Sequence, residues 1–519
     1  MIHLKNIAMK KIIYSILFLS AICLLPSCDK GFEEINTNKT LPIALDPAFL
    51  MNNAIIGSSA PAETMIFELA IVQQIITPFG GVLGGGNYNQ DNKVRNQGNW
   101  VRYYQTVIKS LASVINETAV AKPGAPDRSN LYHSARIMRA YAFMVLTDSY
   151  GDIPYLQAGK GFTESISVPA YDSQESIYKD ILKELEQSSA ALDPAKPRNN
   201  SDVLFGGDIA QWKAFGYSLM LRAGMRLSKV DPTLGQQSVA KAFAGGVIQT
   251  NAGSAVVRHT TLYQNAVNGL LNGSEANNYF LAKPFVDFLF LKGDPRLRSM
   301  SVRYVGAASG PQQAPVRADF TPAAQRGMPI GFDNGTIVAQ ARAEGLASFY
   351  DYSQLDRFRL GRIDAPMFLV TNSQTKLLLA EARFRGWITT GPTAAVLYAD
   401  AIRANMAEMV QFSPASAIAN SDIEAFVTVN PLRVGNELRD INEQYWVATL
   451  LNGPETFANF RRSGFPALTP NPYQGRDVTP FVRKITYPDS EYAINKANLN
   501  AAITRQGGDK LDTRVWWDK

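Results

Sequence analysis

Apolar side chains recur every three to four residues along much of the chain, and this spacing predicts amphipathic α-helices. After Asp172, for example, Ile177, Ile181 and Leu185 mark one face, and the pattern stops before Pro194. Further helices are predicted at about 48–77, 99–120, 130–148, 372–387, 393–410 and 438–451. No helix of this kind can bury its apolar face alone, so the helices must stack on one another. The pattern therefore predicts a mainly α fold of tetratricopeptide-like helical hairpins, although no clean 34-residue sequence period is present.

One helix has a clear start signal. Asp208, followed three residues later by Gln211, is typical of a capping box, in which each side chain satisfies an otherwise unbonded first-turn amide. A stripe of large apolar residues follows at helical spacing: Trp212, Phe215, Leu219 and Met220. Ser218, Arg222, Arg226 and Lys229 lie outside that stripe. The sequence predicts that this helix stops at Asp231-Pro232.

Two regions break the helical pattern. Residues 78–88 are rich in glycine, and they lack the Gly-Lys-Ser/Thr ending of a phosphate-binding loop. We interpret them as a mobile surface loop that extends to Trp100. Residues 252–352 combine glycine and proline with many aromatic and amide side chains. A loop-rich insertion of this length in a helical protein is usually functional.

The N-terminus has the pattern of a bacterial lipoprotein signal. Three lysines precede a mostly apolar run, 12–25, that is too short to span a bilayer comfortably. The run leads to Ser27-Cys28, which predicts cleavage before Cys28 and lipid attachment at that residue. An ordinary secretory signal is the alternative. The predicted organisation is a signal peptide at 1–27, a lipidated cysteine and tether at 28–47, and a single domain at 48–519.

Composition excludes several classes of function. The formal charge of +6 includes the three leader lysines, so the exported chain is nearly neutral, and no dense Lys/Arg stripe indicates nucleic-acid binding. The two cysteines are Cys23, in the leader, and Cys28, which leaves no thiol for a disulfide or a metal site. Outside the leader the only histidines are His133 and His259, too few for a zinc cluster or a Ser-His-Asp triad. We expect no cofactor and no metal. Calcium stays an open question, because Asp and Asn abound in the loops although no twelve-residue ligand loop is recognisable.

The loop regions carry the candidate ligand contacts. A sugar presents hydroxyl edges and apolar C–H faces, so its site needs flat aromatic rings beside amide or carboxylate groups. The candidates are Tyr263, Asn277, Asn278, Tyr279, Phe349, Tyr350, Tyr352, Tyr88 and Trp100. Packing beneath a long loop is the alternative for any single residue. Tyrosine and asparagine also contact peptide backbones well, so this chemistry does not choose between sugars and peptides.

Five segments in order resemble the SusD/RagB family of outer-membrane nutrient-binding lipoproteins, in its SusD-like branch. They are Tyr141–Tyr155 with its Gly-Asp-Ile-Pro turn, Trp212–Arg226, Leu378–Trp387, Phe460–Pro466 and Arg514–Asp518. The resemblance implies a helical body on tetratricopeptide-like hairpins, with inserted loops forming a ligand surface. It also implies a surface-exposed binder, not an enzyme, that delivers oligosaccharides or peptides to a TonB-dependent outer-membrane barrel.

The motif residues themselves are expected to be structural. A permissive glycine and a pre-proline residue explain the Gly151–Pro154 turn. Arg461 and Arg462 are expected to pair with acids or helix ends, Glu381 to pair with an arginine, and Trp516 and Trp517 to pack. Two other hypotheses remain open at this point, a surface hydrolase that uses carboxylates and a purely structural envelope protein.

Overall fold

A computed structural model describes residues 45–59, 61–79, 88–120, 124, 126–161 and 163–519. Residues Pro47–Lys519 form one compact unit. The predicted leader, Cys28 and most of the glycine-rich loop lie outside the described residues. None of the helices in the described part of the chain is both long and apolar enough to cross a membrane.

The first predicted helix, 48–77, is two helices and a strand. They are α1 (Pro47–Gly57), α2 (Ala62–Ile71) and β1 (Ile75–Ile76). Gly57 allows close packing, because a Cβ there would stand 2.9 Å from Thr106 Cγ2. Pro61 precedes α2, since proline is tolerated at a helix start but not inside one. The spacing of apolar residues alone does not show the break between α1 and α2, because both helices have a buried apolar face.

The second predicted helix begins earlier than expected. It comprises α3 (Lys93–Arg102), a π-helical segment Tyr103–Ile108 and α4 (Lys109–Thr118), which follow one another without a turn. Asn92 caps α3 by accepting a hydrogen bond from the Arg95 amide at 3.2 Å. The surface loop predicted to reach Trp100 therefore ends before Lys93.

Four helices form the centre of the body. They are α5 (Ser129–Tyr150), α6 (Gln174–Ala191), α7 (Ile209–Arg226) and α8 (Pro232–Gly245), and a small antiparallel pair, β2 (Ile153–Pro154) with β3 (Tyr171–Asp172), joins α5 to α6. Ser173 caps α6, one residue after the predicted start. Asp208 caps α7 as predicted, accepting from the Gln211 amide at 3.1 Å. The Gln211 side chain donates from Nε2 to the Asp208 carboxylate at 3.2 Å, and the Asp208 amide donates to the Phe205 carbonyl instead of to Gln211, so only half of the capping box forms. α7 ends at Arg226, a few residues before the stop predicted at Asp231-Pro232, and Asp231 caps the next helix, α8.

Residues 252–352, predicted as a loop-rich insertion, hold many short elements. These are β4 (Ala255–Val257), α9 (Ala266–Leu271), β5 (Phe280–Leu281), α10 (Lys283–Lys292), α11 (Arg296–Met300), β6 (Ser301–Tyr304), β7 (Ala318–Asp319) and α12 (Ile337–Ala343). Two strands follow, β8 (Gln354–Leu355) and β9 (Met367–Val370). All strand pairs are antiparallel: β1 with β5, β4 with β9, and the sheet β7-β6-β8. These short pairings fasten the insertion to the helical body.

The C-terminal part returns to helices. They are α13 (Asn372–Phe384), α14 (Ala394–Glu408), α15 (Asn420–Val429), α16 (Glu437–Ala448), α17 (Gly453–Ser463), α18 (Asp489–Ile494) and α19 (Lys496–Gln506). Consecutive helices pack on one another along α5–α8 and in the α13–α14 pair, and α2 packs on α17. The predicted mainly α architecture of helical hairpins is confirmed.

The family-like motif residues hold the helical body together. Arg462 donates to both carboxylate oxygens of Glu381, at 2.8 and 2.7 Å, and both side chains are 1% exposed. Burial alone would raise the pKa of Glu381, but the Arg462 and Arg385 guanidinium groups hold it at about 2. Trp517 is fully buried and donates to Asp148 Oδ1 at 2.9 Å. The structural interpretation of these residues is confirmed.

The Gly-Asp-Ile-Pro turn is also structural. Gly151 has φ +84°, and a Cβ there would meet Gln506 Oε1 at 1.8 Å. Asp152 accepts from the Gln174 amide at 2.8 Å, which ties the end of α5 to the start of α6. The motif therefore joins two helices of the body and the C-terminal α19.

Candidate functional site

Aromatic rings collect where the insertion meets the end of α2. Phe349 packs edge-on against Phe79 at 6.0 Å and Phe280 at 6.3 Å between ring centroids, and Tyr350 lies tilted on Phe349 at 4.2 Å. Phe332 packs against the same group. We refer to Phe79, Phe280, Phe332, Phe349 and Tyr350 as the aromatic cluster. Phe280 and Phe349 are buried, whereas the other three rings are half-buried.

A hydrogen-bonded path leads from the aromatic cluster to an amide candidate. Gln313 donates from Nε2 to the Tyr350 carbonyl at 2.9 Å. Arg357 donates to the Gln313 carbonyl at 3.2 Å and to Asn277 Oδ1 at 3.3 Å. Two predicted candidates, Tyr350 and Asn277, are thus held in one network by Gln313 and Arg357, which sequence reasoning did not select.

Other candidates are divided between the interior and the surface. Tyr279 and Tyr352 are buried, and the Tyr352 hydroxyl donates to Glu344 Oε2 at 3.0 Å. Burial and the Glu344 carboxylate raise the pKa of Tyr352, so it is a neutral hydrogen-bond donor. Tyr263 and Asn278 are half-exposed. Buried rings cannot present a flat face to a ligand in this arrangement, so the surface candidates are the half-exposed residues.

Tyr88 and Trp100 are both buried, and each has ring contacts of its own. Tyr88 stacks on Tyr473 at 4.3 Å and donates its hydroxyl to the Pro78 carbonyl. Trp100 belongs to α3, where it packs against Tyr104 at 4.8 Å and Tyr150 at 5.1 Å. The contacts of Trp100 are those of a core residue between helices.

The structure adds an aromatic residue that sequence reasoning missed. Phe358 is 55% exposed and forms part of the wall of two cavities, of about 940 and 440 Å³. The larger cavity also contains the exposed rings of Phe290 and Phe320, and the smaller one contains Asn268 and Asn272. In the sequence Phe358 stands between Arg357 and Arg359, and local spacing does not show that the ring is exposed while the two arginines are buried.

Part of the charge near these cavities is paired. The Arg303 guanidinium lies 3.0 Å from the Asp351 carboxylate, and Arg359 pairs with Asp356. Within the described ranges, no group of three His, Cys, Asp or Glu side chains is placed to hold a metal ion. The arrangement offers ring faces, amides and hydroxyls, which are groups that bind neutral polar ligands.

Comparison with known proteins gives one family match and several structural matches. The SusD-like family described as starch-binding and associating with the outer membrane matches residues 38–488. No curated protein matches the chain. A chitin-binding protein of known structure is 25% identical, covers 91% of this chain and 100% of its own, and superposes with a TM-score of 0.80.

Two other solved structures share the fold. A Bacteroidetes SusD-like protein, AC2a, is 24% identical over 92% of this chain and 100% of its own, with a TM-score of 0.76. A chitin-binding SusD homolog from Flavobacterium johnsoniae is 23% identical over 91% of this chain and 98% of its own, with a TM-score of 0.71. Because the family match spans most of its length, this chain belongs to the SusD-like family.

Proposed function

We propose that this protein is a lipid-anchored binder at the cell surface that captures oligosaccharides and delivers them to a TonB-dependent outer-membrane barrel. The observation that carries the proposal is the family match over residues 38–488, in a family described as starch-binding and outer-membrane associated. A chitin-binding structural neighbour at 25% identity supports a glycan as cargo. Peptide cargo in the same uptake role is the alternative. On either reading the protein binds its ligand and does not transform it.

The half-exposed rings and amides support a sugar surface. Tyr350 presents part of a ring that Phe349 supports from behind, and Asn277 is held by Arg357. A ring face packs against the C–H face of a pyranose while amides bond its hydroxyls. Tyr263 supplies another half-exposed ring in the insertion. These groups can bind a sugar at an open surface without a deep pocket, which suits a protein that binds a long polymer.

The test is affinity electrophoresis of the chain from residue 29 in gels that contain soluble starch or glycol chitin. Calorimetry against a tryptic casein digest runs in parallel. We expect retardation by one polysaccharide, and Tyr350→Ala should weaken it about tenfold because a supporting ring face is lost. Tyr132→Ala is the matched control, a half-exposed tyrosine on α5 away from the insertion. Casein-peptide binding without retardation would replace glycan with peptide as the cargo.

The anchor needs its own experiment, because Cys28 lies outside the described residues. Metabolic labelling with an alkyne fatty acid should mark the full-length protein, and Cys28→Ala should abolish the label. Unchanged labelling of the alanine variant would contradict the lipid anchor at this residue. Co-purification of the labelled protein with an outer-membrane barrel tests the transport partner.

A further inference from the structure

The 940 Å³ cavity beside Phe358 lies where several segments of the insertion meet a helix of the C-terminal part. Residues of α10, α11, β6 and β7 line it from the insertion, and residues of α15 line it from the C-terminal part. Small-molecule sites in proteins typically have volumes of about 300–1,000 Å³. The cavity is therefore large enough to hold a small ligand.

One buried side chain fastens the wall of this cavity together. Arg359 donates to the carbonyls of Arg298, Ser301 and Ala415, each at 3.2 Å. Its guanidinium also lies 4.3 Å from the centroid of the Phe320 ring. Because one guanidinium joins four segments of the chain, the shape of the cavity is fixed before a ligand arrives. A preformed site loses little conformational entropy when it is occupied.

Most of the surface that lines the cavity is apolar. Three of the phenylalanines in the lining are exposed, Phe290, Phe320 and Phe358. Aliphatic residues extend the apolar wall: Leu289, Val302, Ile418 and Val429. Covering such a surface with an apolar molecule removes apolar area of both partners from water, which is favourable. The wall therefore favours a ligand with an apolar body.

Two acids in the lining are already neutralised by arginines. Asp294 accepts from Arg296 Nη2 at 2.5 Å, and both side chains are buried. Asp356 pairs with Arg359, the same side chain that joins the segments of the wall. Each of these pairs has no net charge, so neither one favours a ligand of a particular sign.

Three other charged residues give the cavity a positive excess. In the part of the chain that the structure describes, the side chains of Lys292, Arg298 and Asp422 form no ion pair. Lys292 Nζ lies 6.0 Å from the centroid of the Phe288 ring. Arg298 and Asp422 are exposed, and Lys292 is half-exposed. Two unpaired cations on flexible stems therefore stand against one unpaired acid.

We propose that this cavity binds a small soluble amphipathic anion, a molecule with an apolar body and one acidic group. The apolar body lies against Phe290, Phe320 and Phe358, and Lys292 and Arg298 attract the acidic group. A neutral or cationic molecule of the same shape lacks this attraction and binds less tightly. The inference does not depend on the proposed glycan function, because no residue named there as a ligand contact lines the cavity.

The test of the charge uses anilinonaphthalene sulfonate, an aromatic anion whose fluorescence rises in apolar surroundings, titrated into the chain from residue 29. Arg298→Gln should weaken binding of this probe about threefold, the effect expected for an exposed ion pair. Asp422→Asn removes the opposing charge and should strengthen binding about twofold. Arg102→Gln is the matched control, since Arg102 is an exposed arginine on α3 that does not line the cavity.

The apolar wall is tested by Phe290→Ala. Phe290 is 49% exposed near the end of α10, so its removal should leave the core intact. We expect probe binding to weaken about tenfold, because the probe then covers less apolar surface. Phe384→Ala is the matched control, since Phe384 is 45% exposed on α13 and lies outside the cavity. If Phe290→Ala fails to fold, the opposite shifts in Arg298→Gln and Asp422→Asn decide by themselves.

The outcomes separate this site from the proposed function. Opposite shifts in the two charge variants, with unchanged polysaccharide retention, support the anion site. Equal probe affinity in all variants overturns it. Loss of polysaccharide retention in Arg298→Gln also overturns it, because the cavity then belongs to the glycan surface. Failure of every polysaccharide to retain the unaltered protein overturns the proposed function and leaves the anion site standing.

Two further arms identify other occupants. Displacement of the probe by a tryptic casein digest, with weaker displacement in Asp422→Asn, would assign the cavity to a zwitterionic peptide and overturn the proposal. Sedimentation of the unaltered chain with phosphatidylglycerol vesicles, lost in Arg298→Gln, would assign the two cations to a lipid surface and overturn a soluble ligand. Absence of sedimentation with these vesicles supports the soluble anion.

Discussion

The helical body and the Phe358 surface use polar and aromatic residues in opposite ways. In the body, charged side chains such as Arg462 and Glu381 are buried and paired, and Trp517 is fully covered. At the surface, Phe358 is exposed, and Asn268 and Asn272 line the cavity beside it. The family-like motifs belong to the body. Membership of the family therefore identifies the scaffold, and the proposed ligand contacts lie outside the motifs.

The largest expected effect is a loss of stability when a buried ion pair of the helical body is broken. Arg462→Met leaves the buried Glu381 carboxylate with Arg385 as its remaining cation, and breaking a buried pair costs about 3–5 kcal/mol. Urea unfolding measures the loss. Arg403→Met is the control, because its pair with Glu424 is exposed and such pairs contribute about 0–1 kcal/mol. Equal losses in the two variants would contradict the difference between buried and surface pairs.

The second effect concerns a buried acid that has no cationic partner among the described residues. Glu408, at the end of α14, accepts from Ser254 Oγ at 2.9 Å, and burial raises its pKa from 4.5 to about 8. The folded state therefore holds this proton more tightly than the unfolded state. Its stabilising contribution is complete below pH 4.5 and is lost as the pH rises to about 8, at about 1.4 kcal/mol per unit of pKa difference.

Glu408→Gln should remove this fall, because glutamine keeps the shape without a titrating proton. The measurement is the free energy of unfolding at several values between pH 5 and 9, compared with the unaltered protein. Glu424→Gln is a control, since that carboxylate is exposed and its pKa is lowered by Arg403. A fall of the same size in Glu408→Gln would show that other groups cause it.

The smallest expected effects are the stability changes of two glycine variants near Phe358. A Cβ at Gly361 would stand 2.8 Å from the Arg357 carbonyl, so Gly361→Ala must shift the backbone that carries Phe358. We expect about 1 kcal/mol of destabilisation. In nearby α9, a Cβ at Gly269 meets nothing within 4 Å, so Gly269→Ala should stabilise by about 0.5–1 kcal/mol. Thermal unfolding of the two variants measures both changes. A Gly361→Ala variant that is more stable than the unaltered protein would contradict the close approach of Gly361 to the Arg357 carbonyl.

Much of the helical body could be predicted from sequence, but its breaks could not. The predictions at 130–148 and 372–387 match α5 and α13 within about three residues, because apolar spacing reports directly on helical period. The prediction at 48–77 joined two helices and a strand. The close approach of Gly57 to Thr106, which depends on a segment about fifty residues away, has no signal in local spacing.

The candidate site was predicted less well than the body. Tyr350 and Asn277 are half-exposed and connected, whereas Tyr352, Tyr279, Tyr88 and Trp100 are buried. An aromatic residue in a loop either packs in a small core beneath the loop or contacts a ligand, and composition does not distinguish between these two roles. The candidates were aromatic residues that cluster in the sequence, and Phe358 was missed because it stands alone between two arginines.

The sequence by itself determined the helical period, the cap at Asp208, the family motifs and the pattern of an exported lipoprotein. Only the tertiary structure decided that Arg222 and Arg226, on the polar side of α7, are buried against Glu455. It also decided that Phe358 is exposed while Tyr352 is covered. The physical reason is that periodicity sets which residues share a face of one element. The partner that covers that face can come from a distant segment, as Glu455 does for Arg226, 229 positions earlier.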